Sequence, residues 1–308
     1  MIIITSKVHA SFLAHLDAKG YRYLYDPEMD YNGLCQQIKE AEGLVIATQI
    51  KIDKNLLDTA TRLQWIGRMG SGMDHVDVNY ARSKNIVCVS SPEGNANAVA
   101  EFAVGIILNV VRNIRRSANE VSNHIWNRNE NKGMELQGKT IGIVGYGNTG
   151  SRLAALLTSF ELNILAYDKY KKGFASESVR EVSMDEILLH SDIISFHLPL
   201  TPETKHFVDE NMLGRLAKRP FIINTSRGAI IKTDALVESI KNNSIQGCAL
   251  DVIENENLSS LTTIQKEHFN FLVAQQKVMI TPHIAGYSYE SNFKMGEILL
   301  KKLGLISW

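Results

Sequence analysis

The sequence predicts an α/β fold made of two doubly wound parallel-sheet domains. Short apolar runs alternate with amphipathic helical stretches along most of the chain, and a glycine-rich turn at 145–150 follows one of these runs. Alternating strands and helices form parallel sheets with crossover helices. The 308 residues, 44% apolar and 21% charged, are enough for two globular domains.

Strands and helices can be placed in order along the chain. In the first hundred residues, strands are predicted at 2–5, 21–25, 43–47, 65–68 and 86–89. A long helical pattern then runs from about Asn97 towards Trp126 and is predicted to join the domains. Later strands are predicted at 141–144, 163–167, 193–197, 221–224, 246–250 and 278–281, and a helix at 288–303 is expected to return to the first domain.

The glycine turn carries the clearest indication of a ligand. Gly145 permits a tight turn after the strand, Gly147 lets the backbone approach a pyrophosphate, and Gly150 lets the following helix pack closely on the strand. The start of that helix offers free N–H groups and the positive end of a dipole. The predicted dinucleotide-binding residues here are Gly145, Tyr146, Gly147, Asn148, Thr149 and Gly150.

An acidic residue, Asp168, stands at the end of the next predicted strand, 18 residues beyond the turn. A carboxylate there accepts hydrogen bonds from the adenosine ribose hydroxyls and repels a 2′-phosphate, so it favours NAD over NADP. Lys169, Lys171 and Lys172 follow it and keep NADP as an alternative. We interpret these lysines as part of a solvated loop.

Composition argues against several classes of partner. With 33 basic and 33 acidic residues, the chain has no net field to collect nucleic acid or a membrane surface, so we expect a small-molecule partner. Cys35, Cys88 and Cys248 are widely spaced, which indicates reduced thiols rather than disulfides or a metal site. The first residues become polar at 5–7, too early for a signal peptide, and we expect a cytoplasmic protein.

Ligands of such sheets bind beyond the carboxyl ends of the strands, and four predicted strand ends carry chemical groups. These are 197–199, 224–228, Asp251 with Glu256, and 281–286. On these and other segments the chain resembles, over nearly its whole length, the D-isomer-specific 2-hydroxyacid dehydrogenases, the family of phosphoglycerate, glycerate and formate dehydrogenases and glyoxylate/hydroxypyruvate reductases. The matching segments are 70–74, 98–101, 145–150, 197–201, 224–228, 249–252 and 281–283.

The resemblance implies a catalytic set. Arg227 would bind the substrate carboxylate and carbonyl oxygen through its fixed fork of donors. His283 would exchange a proton with the substrate oxygen, because imidazole titrates near neutral pH. Glu256 would orient that imidazole and favour its charged form. Backbone N–H groups near Ser71 and Gly72 would grip the carboxylate from the other domain.

The resemblance also implies an NAD site and separate domains for the cofactor and the substrate. Residues 97–283 would form a Rossmann cofactor domain, and 1–96 with 284–308 a flavodoxin-like substrate domain, without a regulatory domain. Further predicted cofactor residues are His197, Pro199, Thr204, Thr225, Ser226, Asp251 and Gly286; Asp251 would face the nicotinamide carboxamide and His197 would pack beside the cofactor. Nothing calls for a metal.

Glu254 could be mistaken for Glu256, but the spacing of five from Asp251 favours Glu256. Three other histidines have no such groups around them and are interpreted as surface or structural: His75, His124 and His206.

Two departures from the family pattern bear on the substrate. Asn257 stands where the family often has proline, and 47–49 read Ala-Thr-Gln where phosphoglycerate dehydrogenases commonly place an Arg-Ser pair. Basic contacts for a phosphate remain at Lys51, Arg68 and Arg128.

The predicted function is hydride transfer between NAD and C2 of a small 2-hydroxy or 2-oxo acid, with 3-phosphoglycerate and glyoxylate or hydroxypyruvate left open. An NAD(H)-sensing protein similar to the family's transcriptional corepressors is the alternative from another class. The helix beginning near Ala98 resembles the element through which the family dimerises, so a homodimer is expected.

Overall fold

The computed structural model describes residues 1–47 and 50–307. The chain divides into two compact units, Met1–Asn97 with Tyr287–Trp308, and Ala98–Gly286. The first limit lies one residue beyond the predicted one (97 against 96), and the second lies three residues beyond it (286 against 283). The segment 47–49, where the sequence departs from the family pattern, includes residues 48 and 49, which lie outside the described residues.

Twelve strands and twelve α-helices are described along the chain. The strands are β1 Ile2–Ile4, β2 Tyr23–Tyr25, β3 Gly43–Ile46, β4 Trp65–Arg68, β5 Val87–Ser90, β6 Thr140–Val144, β7 Asn163–Tyr167, β8 Val179–Glu181, β9 Ile193–Phe196, β10 Phe221–Asn224, β11 Gly247–Leu250 and β12 Val278–Ile280. The helices are α1 Ala10–Ala18, α2 Tyr31–Gln37, α3 Lys54–Thr59, α4 Val78–Ser83, α5 Pro92–Val111, α6 Ile114–Ser122, α7 Asn148–Leu157, α8 Met184–His190, α9 Glu210–Gly214, α10 Thr233–Lys241, α11 Thr263–Ala274 and α12 Tyr289–Lys302.

The first unit is a five-stranded parallel sheet covered by helices on both faces. Its strand order is β2-β1-β3-β4-β5, the flavodoxin-like order. Successive residues of β1 bury opposite faces: Ile3 joins the core under α2 and α3, whereas Ile4 packs with Phe12 of α1. Helix α12 completes this second face with Leu299 and Leu300, both fully buried. The last helix therefore returns to the first unit, as predicted.

The second unit is a seven-stranded parallel sheet. Its order, β12-β11-β10-β9-β6-β7-β8, is the Rossmann order extended by one strand. Strands β9, β10 and β11 are buried along their whole length, as expected of a sheet with helices on both faces. The predicted fold class is confirmed.

Two local predictions were wrong. The strand β8 was not predicted, because a three-residue edge strand with one buried side chain, Val179, has no apolar periodicity. The predicted single helix from Asn97 to Trp126 is two helices separated at Asn113, whose φ of 55° is left-handed. Asparagine adopts this conformation more readily than most residues, and the Asn113 side chain donates to Lys132 O at 3.2 Å. Trp126 lies beyond α6 and is exposed.

Helix α5 is long and apolar enough to cross a membrane, with a mean hydropathy of 1.4. Half of this stretch is buried inside the protein. The buried face includes Ala103, Ile106, Ile107 and Val110, at the spacing of one side of a helix. A core helix of a globular protein has the same composition, so α5 is weak evidence for a membrane.

Candidate active site

The glycine turn joins β6 to α7 at the carboxyl edge of the second sheet. Gly145 has a φ of 96°, which favours glycine, and its N–H donates to Tyr167 O at 2.8 Å. A Cβ on Gly150 would lie 2.0 Å from Gly145 O, so only glycine fits where α7 meets the turn. At Gly147, by contrast, no heavy atom of the described residues lies within 4 Å of such a Cβ, and no described side chain caps α7. Open space and free N–H groups together fit a bound pyrophosphate.

This contrast predicts different effects for two alanine substitutions. Gly150→Ala is expected to lower the free energy of unfolding by about 2 kcal/mol, because the added methyl overlaps backbone. Gly147→Ala should fold normally but bind NADH about tenfold more weakly, a loss of about 1.4 kcal/mol. Urea unfolding and calorimetric titration with NADH measure the two quantities. Equal NADH affinity in Gly147→Ala and wild type would contradict binding of the pyrophosphate against Gly147.

Asp168 follows β7 and faces the glycine turn. Its carboxylate accepts backbone hydrogen bonds from Tyr146 at 2.8 Å and from Tyr170 and Lys171, each at 2.9 Å. Burial acts to raise the pKa of Asp168, but these N–H donors and the Lys171 charge outweigh it, and the pKa is lowered. The carboxylate is thus ionised and fixed beside the turn, as ribose recognition requires.

The segment after β10 is organised by the buried amide of Asn224. Its Oδ1 accepts from the N–H and the hydroxyl of Ser226 at 3.0 and 2.7 Å, and its Nδ2 donates to Arg227 O at 2.9 Å. A Cβ on Gly228 would lie 1.9 Å from Ile253 O, so this segment lies against the loop that follows β11. Arg227 is therefore presented from a rigid turn beside that loop.

Thr225, in the same segment, adds a test for a bound cofactor. Its hydroxyl is buried and has no hydrogen-bond partner among the described residues. Buried hydroxyls without partners are costly and uncommon, so a polar group of a ligand would suit this one. Together with the open space at Gly147 and the fixed Asp168 carboxylate, it fits NAD.

His283 and Glu256, the predicted acid–base residue and its orienting carboxylate, lie within hydrogen-bond distance of each other. His283 Nδ1 lies 2.9 Å from Glu256 Oε2, which leaves Nε2 directed elsewhere and available to a substrate. His283 has a φ of 56°, an uncommon conformation for a residue with a side chain. Its N–H donates to Asp251 O at 2.8 Å. The predicted partners are thus brought together across 27 residues of sequence.

Asp251 has a role that the sequence did not reveal. It is 1% exposed, and its carboxylate accepts from the Thr281 hydroxyl at 2.6 Å and from the N–H groups of Ile284 and Ala285 at 3.0 and 2.7 Å. These bonds hold the turn on which His283 stands. The contact between Asp251 and the nicotinamide carboxamide stays a prediction.

Glu254 and Glu256 face different partners although they are two residues apart. Glu254 Oε1 lies 2.5 Å from His206 Nε2, and Oε2 accepts from Thr233 N at 2.8 Å. The expectation that His206 has no partner group was therefore wrong, because a loop remote in sequence supplies it. This pair borders a cavity of about 230 Å³ between α10 and α11, which none of the three predicted catalytic residues lines.

Asn257 replaces the family's frequent proline without displacing Glu256. The N–H that proline would lack donates to Asn255 Oδ1 at 3.1 Å, and the Asn257 side chain accepts from Ser259 N at 3.2 Å. Hydrogen bonds from backbone N–H groups to asparagine side chains thus hold the loop, where a proline ring would hold it in the family pattern.

His197 directly follows β9 and lies next to the glycine turn. Its carbonyl oxygen would lie 2.4 Å from a Cβ on Gly145, and its Nε2 is 2.9 Å from Ser195 Oγ. Burial of the ring lowers the pKa of His197 to about 4. At neutral pH the imidazole is uncharged, which suits a packing role beside a cofactor.

This burial predicts a pH-dependent stability. Between about pH 6.5 and pH 4 the unfolded chain binds a proton at His197 that the folded chain does not, so the free energy of unfolding falls as pH falls through this range. The loss attributable to His197 has an upper limit of about 3 kcal/mol. Urea unfolding at several pH values should show a smaller decline in His197→Asn than in wild type. Identical declines would contradict a buried neutral ring.

Thr204 and Gly286 are the remaining predicted cofactor residues. Thr204 Oγ donates to Pro199 O at 2.5 Å and accepts from Thr201 N at 2.8 Å, which fixes the loop after β9. Gly286 is the last residue of the second unit. Among residues 1–47 and 50–307, no three His, Cys, Asp or Glu side chains group as metal ligands.

In the first unit, the predicted carboxylate-binding segment follows β4. Ser71 Oγ donates to Asn95 Oδ1 at 2.9 Å, and Gly70 has a φ of 138° that requires glycine. Arg68 is only 8% exposed and donates to Met69 O at 2.8 Å, directly before this segment. Lys51 and Arg128 are exposed.

The chain is similar to known proteins along most of its length. Residues 104–285 match the family described as "D-isomer specific 2-hydroxyacid dehydrogenase, NAD binding domain". The glyoxylate reductase of Thermofilum pendens is 35% identical over 277 residues, covering 88% of this chain and 79% of that protein. The D-3-phosphoglycerate dehydrogenase of Methanocaldococcus jannaschii is 30% identical over 305 residues, covering 98% of this chain. The chain spans only 56% of that relative's length.

A solved structure is similar along the whole chain. D-lactate dehydrogenase from Aquifex aeolicus, in complex with NAD and lactic acid, has a TM-score of 0.88 and 29% identity. The match covers 99% of this chain and 94% of that one.

Proposed function

The chain belongs to the D-isomer-specific 2-hydroxyacid dehydrogenase family, and from this we propose that it is an NAD-dependent oxidoreductase acting on a small 2-hydroxy or 2-oxo acid. The observation that carries the proposal is the 2.9 Å pair of His283 and Glu256, in the unit that holds the dinucleotide turn. A histidine with one nitrogen on a carboxylate and the other available is the arrangement of a general acid–base. We propose the same cytoplasmic location that the composition predicts.

In this proposal each residue has a defined task. NAD, when bound, supplies the hydride acceptor, and NADH the donor. Arg227 pairs with the substrate carboxylate and polarises the carbonyl oxygen. His283 Nε2 gives a proton to that oxygen during reduction and takes it back during oxidation, while Glu256 stabilises the imidazolium. For Ser71 and Gly72 the proposed task is to bind a substrate carboxylate through their backbone N–H groups.

The finer proposal for the substrate is 3-phosphoglycerate. The similarity to D-3-phosphoglycerate dehydrogenases supports it, as does Arg68, a buried guanidinium beside the Ser71–Gly72 segment. Glyoxylate or hydroxypyruvate is the second candidate. The higher identity to a glyoxylate reductase favours it, as does the absence of arginine at 47–49.

NADH oxidation by the purified protein, followed by absorbance, tests both levels of the proposal. The substrates are 3-phosphohydroxypyruvate, hydroxypyruvate, glyoxylate, pyruvate and 2-oxoglutarate. Preference for the phosphorylated acid, lost in Arg68→Gln, would support the first candidate. Preference for an unphosphorylated acid would support the second, and no turnover with any 2-oxo acid would contradict the proposed activity.

We also propose that the protein is a homodimer. Helix α6 exposes the apolar side chains of Ile114 and Val121, each about half accessible, and Ile125 and Trp126 directly after it are exposed too. Such a row of apolar residues is typical of a protein interface. Light scattering is expected to give twice the chain mass of 34.4 kDa, and a mass near 34.4 kDa would contradict the dimer.

A further inference from the structure

Glu203 lies in the loop after β9 and contacts the two residues that directly follow Asp168. Its Oε2 accepts from the Tyr170 hydroxyl at 2.5 Å, and its Oε1 pairs with Lys169 Nζ. The loops after β7 and β9 are thereby joined by one carboxylate. Strands β7 and β9 flank β6, so these two loops follow the strands on either side of the glycine turn, at the edge where a Rossmann sheet binds a dinucleotide.

The three lysines that follow Asp168 all have partners within the protein. Lys171 Nζ lies 5.2 Å from the centre of the Tyr146 ring and donates to Tyr146 O at 3.4 Å. Lys172 Nζ donates to Asp168 O at 2.8 Å. Lys169 differs from both, because its partner is a carboxylate that neutralises its charge.

A 2′-phosphate needs basic side chains beside the position of Asp168. Lys169 adjoins that position in sequence and could supply one, yet Glu203 holds it and adds a negative charge of its own. We propose that Glu203 is a second determinant of the preference for NAD over NADP, acting with Asp168 by sequestering Lys169. This inference rests on the proposed use of NAD.

The change Glu203→Gln tests the proposal, since glutamine keeps the size of the side chain and removes its charge. Dissociation constants for NADH and NADPH are measured by calorimetric titration. NADPH is expected to bind about three- to tenfold more tightly to Glu203→Gln than to wild type, as one freed cation gains a phosphate partner. The dissociation constant for NADH should change less than about twofold. In the double variant Lys169→Gln, Glu203→Gln the gain for NADPH should disappear.

Glu238→Gln is the matched control. Glu238 pairs with Lys241 at 2.7 Å on the surface of α10, with an exposure similar to that of Glu203, so its loss changes net charge equally. It should not alter the ratio of the two dissociation constants, and thermal unfolding should show all variants folded. An unchanged ratio in Glu203→Gln, or a gain that persists without Lys169, overturns the inference while the proposed function stands. A wild type that binds neither nucleotide overturns both.

Discussion

Replacing His283 by asparagine is expected to lower kcat at least about a hundredfold, and up to about ten-thousandfold, because the substrate oxygen loses its proton donor. Asparagine is a better replacement than alanine, since asparagine tolerates the left-handed φ of 56° at this position. NADH affinity should stay within about twofold of wild type, because the pyrophosphate and ribose contacts lie elsewhere. Steady-state kinetics and calorimetric titration measure the two effects separately.

Glu256→Gln is the informative companion to that variant. Glutamine can still accept a hydrogen bond from His283 Nδ1, now 2.9 Å from the carboxylate, but it does not stabilise the imidazolium. The loss in kcat should therefore be smaller than in His283→Asn. Unchanged turnover in His283→Asn would remove this histidine from the chemistry and contradict the proposed function.

Replacing Arg227 by alanine should lower kcat/KM about a thousandfold or more, because one side chain serves both the carboxylate and the developing charge on the carbonyl oxygen. Both kcat and KM should worsen, in contrast to His283→Asn, in which kcat carries the loss. The measurement is a set of saturation curves with the best 2-oxo acid found for the wild type.

Arg227→Lys serves as the control for charge. It keeps the positive charge but loses the planar fork, so its activity should fall between those of wild type and the alanine variant. Wild-type kcat/KM in Arg227→Ala would show that the carboxylate is bound by other groups. The turn should survive both changes although Arg227 Nη1 donates to Ser226 O at 2.7 Å, because the Asn224 side chain still bonds Ser226 and Arg227 O.

Several parts of the site were predictable because their physical requirements are local. The close approach at Gly150 and the strained turn at Gly145 demand glycine, so spacing alone indicated the turn. The pairing of Glu256 with His283 followed from the family resemblance. It could not have been derived from periodicity, since 27 residues separate them.

What the sequence did not reveal are contacts between remote segments. Asp251 supports the His283 turn through side-chain and backbone groups thirty or more residues away. Glu254 contacts His206, which is 48 residues away in sequence. Polar residues of this kind have no periodic pattern, and only the sheet order places their strand ends side by side. The break at Asn113 was missed for another reason, since apolar spacing continues through it.

The way α12 completes the first unit affects the order in which the chain folds during synthesis. Residues 98–286 form a continuous unit and can complete their sheet as soon as they leave the ribosome. The amino-terminal sheet emerges earlier, but one of its faces is covered by Leu299 and Leu300, which emerge more than two hundred residues after it. This part of the first unit is thus translated first and finished last, and until α12 is made Ile4 and Phe12 lack Leu299 and Leu300 as packing partners.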